Sequence, residues 1–124
     1  MNAMAGLVNV LVLLVAIEHL WFLVLEMFLW TKPAGLRTFR QSLEQARASA
    51  ALAANQGLYN GFLSAGLLWG LVAPGELGFP VKIFFLTCVV VAGVFGAATV
   101  SRRILVVQAL PAAVALAGLL APRA

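Results

Sequence analysis

The chain has 124 residues, of which 64% are hydrophobic and 10% are charged, and its mean hydropathy is +1.06. Soluble domains contain about 25% charged residues, so this composition excludes an ordinary soluble domain and predicts an integral membrane protein. The net charge of +4 does not indicate nucleic acid as a partner, because cations in membrane proteins collect in cytoplasmic loops; we expect the lipid bilayer as partner instead.

Four apolar stretches divide the chain, and a membrane-spanning helix needs roughly 20 such residues. We place the spans at about residues 4–30, 47–72, 80–101 and 104–120. The predicted fold is therefore all-α, an integral membrane four-helix bundle that forms a single domain over residues 1–124.

The positions of the cations predict the orientation of these spans. Six of them lie around the first and third connections: Lys32, Arg37, Arg40, Arg47, Arg102 and Arg103. Because cytoplasmic loops carry an excess of lysine and arginine, both connections are predicted to be cytoplasmic. Both termini are then expected on the outer side of the membrane.

The first predicted span contains three ionisable side chains, Glu18, His19 and Glu26. Hydrocarbon makes such groups costly, roughly 3 kcal/mol each on insertion scales, so they need a partner or a function. With a rotation of about 100° per residue, the three lie on one face of the helix. We predict that Glu18 and His19 are catalytic residues that exchange protons and that Glu26 binds a ligand.

The first connection has two interpretations. Pro33 and Gly35 are typical of a helix stop followed by a turn, and residues 36–43 then carry apolar side chains at helical spacing. That segment is either a short amphipathic helix on the inner membrane surface or a solvated loop with scattered apolar side chains.

The second predicted span contains a polar arc of about 140°, formed by Asn55, Gln56, Tyr59 and Asn60. We expect this arc to face the ionisable side chains of the first span and predict that all four residues bind a ligand. Gly57 and Gly61 are expected on the opposite side, where their spacing lets another helix approach closely. For the amides, the alternative is a polar network that only fastens helices together.

The fourth predicted span and the connection before it add three residues to the site. Gln108 lies a short way from the cytoplasmic boundary, where we expect Arg102 or Arg103 to hold the anionic end of a ligand. Pro111 either kinks this helix and opens room beside Gln108 or is an ordinary tolerated proline. One histidine and two glutamates at this spacing match no strong metal motif, so no metal site is predicted and any cofactor stays unknown.

Four segments of the chain resemble a known family: AIEHL at 16–20, LEMF at 25–28, AANQGLYNGF at 53–62 and GAATVS at 96–101. They are similar to the small four-span membrane proteins known as domain of unknown function 1304, and the resemblance covers nearly the whole chain. It implies a multi-pass protein of the bacterial inner membrane, and it carries no activity across.

A second resemblance concerns the membrane-associated eicosanoid and glutathione proteins, which are four-span homotrimers with sites between subunits. Asn55 and Tyr59 keep the spacing of that group in its second span, and Arg103 stands near the place of its thiol-activating arginine. Leu58 stands where the group has an acidic residue, and Ala51 where it has an arginine. The resemblance therefore implies a similar fold and a homo-oligomer, trimer or dimer, but not glutathione chemistry.

Three hypotheses about function follow. In the first, the protein binds a small amphipathic or lipophilic molecule at an intramembrane polar site, with or without acid/base chemistry, so whether it is an enzyme stays open. In the second, it is a proton-coupled transporter of small molecules, in which a glutamate near the membrane midplane couples the two fluxes. In the third, it is a non-catalytic accessory membrane subunit, which its small size and glycine-lined helices favour.

Overall fold

The computed structural model describes residues 2–121, and every regular element within them is a helix. The helices are α1 (Ala3–Met27), α2 (Pro33–Phe39), α3 (Leu43–Val72), α4 (Gly78–Thr99) and α5 (Leu110–Leu120), and a π-helical turn (Leu105–Ala109) directly precedes α5. The prediction of an all-α fold is confirmed for this part of the chain. Met1 and residues 122–124 of the predicted domain lie outside it.

Two of these helices, α1 and α4, are long and apolar enough to cross a membrane. Of the most apolar window, 28% is buried in α1 and 22% in α4, so most residues of each window are not buried. The segment Leu105–Leu120 is apolar but shorter. Of the four predicted spans, two thus correspond to helices that are long and apolar enough to cross a membrane. Membrane crossing by α3 and α5 stays a prediction.

The chain divides into two compact units, one formed by the residues up to Ala16 and from Ala65 onward, the other by Ile17–Ser64. In the first unit, α4 packs closely against the chain that follows it. A Cβ atom on Gly93 would lie 2.7 Å from the Cβ of Ala109. Glycine is therefore required at this position for the close approach of the two helical segments.

The π-helical turn bears on the two interpretations of Pro111. The backbone N–H of Leu110 donates to the carbonyl of Leu105, five residues earlier, and Pro111, which has no N–H to donate, follows in the first turn of α5. The helix is locally widened over the turn that contains Gln108. The helix is therefore irregular beside Gln108, and whether Pro111 kinks it and opens room there stays a prediction.

In the second unit, the first connection forms the short helix α2. Pro33 opens this helix, because the first helical position needs no N–H donor, and the left-handed Arg40 (φ 52°) ends it by donating its N–H to the Leu36 carbonyl. The helical interpretation is therefore the observed one, but the expected stop at Pro33 and the expected range 36–43 are wrong. Leu43 already belongs to α3.

The start of α3 is fixed by a reciprocal pair of hydrogen bonds. The N–H of Gln45 donates to Oγ of Ser42 (3.1 Å), and the N–H of Ser42 donates to Oε1 of Gln45 (2.9 Å). This is the capping box, which satisfies two backbone donors that a helix start leaves without partners. It sets where α3 begins.

Candidate functional site

Within the second unit, α1 and α3 run antiparallel in close contact. The indole N–H of Trp30 donates to Oγ of Ser49 (3.2 Å), and a Cβ on Gly57 would lie 2.6 Å from Cγ of Met27. Further along, a Cβ on Gly61 would lie 2.7 Å from Cδ1 of Leu23. The glycine face of α3 therefore brings its backbone close to α1.

A buried carboxylate lies in this contact. Glu26 is 3% exposed, the amide of Asn60 donates to its Oε1 (2.5 Å), and the amide of Gln56 donates to its Oε2 (2.5 Å). Both carboxylate oxygens are thus hydrogen-bonded, as burial requires. We call these three residues the Glu26 network, and it fastens α1 to α3.

The expected orientation of the polar arc is correct for Gln56 and Asn60, whose amides donate to Glu26 although the Gln56 residue itself is exposed. It is wrong for Asn55 and Tyr59, which lie on the exposed side of α3. The expectation that the glycine face looks away from the arc is also wrong. Asn60 lies only about 60° from Gly57 around the helix, so the same neighbour, α1, meets both the glycines and the near end of the arc. Asn55, at the far end, is carried to the outer side.

The second group of ionisable side chains is the Glu18–His19 pair. The His19 side chain is fully buried, with its ring edge against Phe22 at 5.2 Å between centroids, and its Nδ1 lies 3.8 Å from Oε1 of Glu18. The Glu18 side chain is 26% exposed, yet its Oε1 is buried and accepts no hydrogen bond from the described residues. A buried acceptor without a donor is costly, so a donor group placed there would be stabilised.

The structure thus separates the three ionisable residues of α1 into two groups. Glu18 and Glu26 are eight residues apart, which is about 12 Å along a helix. Glu26 is enclosed by amides of α3, whereas Glu18 keeps an exposed side. Of the two carboxylates, Glu18 is the one that a ligand can reach without displacing an existing hydrogen bond.

The remaining predicted site residues belong to the first unit. Arg102 and Arg103 are exposed at the start of the final helical segment, and Gln108 is half-buried in the π-helical turn. Their participation in one site with the residues of α1 and α3 stays a prediction. Among residues 2–121, no group of three or more His, Cys, Asp or Glu side chains is arranged to hold a metal ion.

Sequence reasoning missed one polar pair, in the first unit. The ammonium group of Lys82 on α4 donates to Oδ1 of Asn9 on α1 (2.9 Å). The available signals were two polar residues inside apolar stretches: Asn9, in the run before Ile17, and Lys82, near the start of another apolar helix.

Comparison with known proteins agrees with the sequence motifs. The profile of the family described as "Protein of unknown function (DUF1304)" matches residues 13–120. The "Uncharacterized protein YpaA" of Lactococcus lactis subsp. lactis (strain IL1403) is 30% identical over 107 residues, which is 85% of this chain and 89% of that protein. No solved structure matches the chain significantly. The matched range contains both α1 groups and the polar arc of α3, and the chain belongs to the DUF1304 family.

Proposed function

We propose that this protein is a multi-pass protein of the bacterial inner membrane that binds a small amphipathic molecule at the Glu18–His19 pair and exchanges a proton with it. One observation carries the proposal: the Oε1 atom of Glu18 is buried without a hydrogen-bond donor beside the buried imidazole of His19. A ligand hydroxyl, amine or carboxylic acid would supply the donor. It would approach from the exposed part of the Glu18 side chain, and rotation of the carboxylate would bring the buried oxygen to it.

The membrane location rests on the exposed apolar faces of α1 and α4. Leu14 and Ile17 on α1, and Phe84 and Phe95 on α4, each expose more than half of their surface. Such continuous apolar faces on long helices are expected to contact lipid or another membrane helix. With the basic connections inside, both termini lie outside and the chain forms the four-span bundle.

In this mechanism, the residues of the site have different roles. Glu18 accepts or donates the proton, and His19, whose neutral imidazole contains both a donor and an acceptor nitrogen, relays it. Glu26, Gln56 and Asn60 position α1 on α3 through the Glu26 network, because both oxygens of Glu26 are already occupied.

The test is native mass spectrometry of the protein purified in lipid, comparing wild type with Glu18→Gln, His19→Ala and the matched control Glu44→Gln, an exposed glutamate of α3. We expect wild type and Glu44→Gln to retain the same bound small molecule, and both site variants to lose it while staying helical by circular dichroism. Equal retention in Glu18→Gln would reject the proposal.

The partly exposed carboxylate of Glu18 in an apolar helix also favours a second candidate, proton-coupled transport. Here the probe is a lipophilic cation such as ethidium in proteoliposomes with an imposed pH gradient. Uptake that depends on the gradient and is lost in Glu18→Gln, but not in Glu44→Gln, would favour transport over binding alone. Uptake unaffected by Glu18→Gln would reject this candidate.

A further inference from the structure

The outer side of α3 carries an exposed seam that the Glu18–His19 site does not use. Its five side chains are all exposed, Leu52 to 76% and both Tyr59 and Phe62 to 55%. We call it the outer stripe, formed by Ala48, Leu52, Asn55, Tyr59 and Phe62.

The spacing of the outer stripe is that of a helix-pairing seam. Its members follow one another at intervals of four, three, four and three residues, which is the heptad pattern by which two helices pack knobs into holes. The stripe lies about 130° around the helix from the buried side chains Ala53 and Asn60, of which Asn60 contacts Glu26 of α1. One face of α3 is therefore occupied by α1, and a second, opposite face has the periodicity of another helix contact.

The composition of the stripe favours a protein partner over lipid. The apolar side chains of Leu52 and Phe62 are compatible with either lipid or a protein partner. The ring centroids of Tyr59 and Phe62 lie 5.9 Å apart on the stripe. The amide of Asn55, however, is exposed at the centre of the stripe, and in hydrocarbon its hydrogen-bonding groups would be left without partners at high cost. A facing helix with its own polar group removes that cost.

We infer that the occupant of the outer stripe is the same stripe of a second copy of this chain. Two copies inserted with the same orientation and related by a twofold axis along the membrane normal place their α3 helices parallel, so each residue of the seam meets its own counterpart. An asparagine amide contains both a donor and an acceptor, so the two Asn55 side chains can hydrogen-bond to each other across that axis. The contact is self-complementary and needs no second kind of protein.

Cysteine cross-linking in membranes tests the location of this interface. In a Cys88→Ser background, which removes the native thiol of α4, we compare Asn55→Cys with the control Ile17→Cys, which is also an exposed position, on α1. Oxidation is expected to convert Asn55→Cys into a disulfide-linked dimer and to leave Ile17→Cys monomeric. A monomeric Asn55→Cys, a rate no faster than that of Ile17→Cys, or a cross-linked product containing a different protein would overturn the inference.

The role of the amide is tested by association in lipid, measured from fluorescence transfer between labelled copies as lipid dilutes them. Asn55→Leu is expected to weaken dimerisation about tenfold, because polar side chains contribute at this scale between membrane helices, and Asn55→Gln is expected to retain it. Wild-type association in Asn55→Leu would overturn the amide pairing. Because Glu18→Gln leaves the stripe intact, that variant should dimerise normally, so failure of the proposed ligand site and failure of this interface are distinguishable.

Discussion

At the scale of single residues, Glu26 illustrates how a carboxylate is accommodated in an apolar helix. It is nearly fully buried, and each of its oxygens accepts a hydrogen bond from an amide of α3. Hydrogen bonds to a charged or buried carboxyl group contribute more than ordinary ones, and the cost of removing a donor exceeds the net gain of making the bond. Asn60, itself buried, should therefore matter more than an exposed amide.

We predict that Asn60→Ala lowers the free energy of unfolding by about 1–3 kcal/mol, the cost of leaving a buried acceptor without a donor. The measurement is reversible unfolding of the purified protein in detergent, followed by circular dichroism. Glu26→Ala should be destabilising for the same reason, since it leaves the two amides without an acceptor.

The double variant Glu26→Ala/Asn60→Ala serves as the control, because it removes both partners of one hydrogen bond. Residues in direct contact show interaction energies of about 0.5–3 kcal/mol, so the double variant should lose less stability than the sum of the two single changes. Strictly additive losses would contradict the coupling of these two side chains.

The polar arc of α3 shows what helical periodicity alone can predict. Periodicity correctly placed Gln56 and Asn60 toward α1, because both lie on or next to the face of α3 that contacts α1. It failed for Asn55 and Tyr59, because an arc of 140° is wider than the strip of one helix that a single neighbour covers. Which end of the arc faces inward was decided by Gly57, whose missing side chain lets α1 approach.

At the scale of elements, α2 depends on a close backbone contact with the turn that follows α1. A Cβ on Gly35 would collide with the carbonyl oxygen of Leu29 and lie 2.9 Å from Cα of Trp30. Both neighbours are backbone atoms, which cannot rotate away. The ring of Trp30 in turn packs on Phe39 at the end of α2, with 4.8 Å between centroids.

We predict that Gly35→Ala destabilises the protein by about 1–3 kcal/mol, the usual cost of forcing an extra group into a packed region. The matched control is Gly6→Ala on α1, where an added Cβ would meet no atom within 4 Å. There alanine should stabilise the helix by up to about 1 kcal/mol. Unfolding of both variants in the same detergent gives the comparison, and equal effects at the two positions would contradict the contact.

The elements themselves were predictable where hydropathy or capping marks them. Apolar run length located α1 and α4, and Ser42 with Gln45 carries the capping signal of α3. The start of α2 was missed because Pro33 serves both as a helix breaker and as a first helical residue. The π-helical turn before Pro111 was not predicted, because a proline inside an apolar span indicates an irregular helix but not which irregularity forms.

At the scale of the whole molecule, hydropathy and charge describe different properties. Hydropathy identifies two helices that are able to cross a membrane, but α3 contains Asn55, Gln56 and Asn60, so its mean hydropathy is lower. If α3 crosses as well, the Glu26 network and the outer stripe would offset the cost of its polar residues. In that case the charge distribution gives one orientation for all the spans. The homo-oligomer implied by the resemblance to the eicosanoid and glutathione proteins stays a prediction.

We predict that the connections alternate between the two sides of the membrane, with the basic connections inside. Single cysteines in a Cys88→Ser background, at exposed positions near the start of the chain and in each connection, report the side: Asn2, Thr38, Glu76 and Val100. In intact bacterial spheroplasts, a membrane-impermeant maleimide should label Asn2→Cys and Glu76→Cys. It should reach Thr38→Cys and Val100→Cys only after permeabilisation.

The inverted pattern would contradict the orientation. Labelling of both Thr38→Cys and Glu76→Cys from outside would show that α3 does not cross, which would leave Gln56 and Asn60 to fasten α1 outside the hydrocarbon.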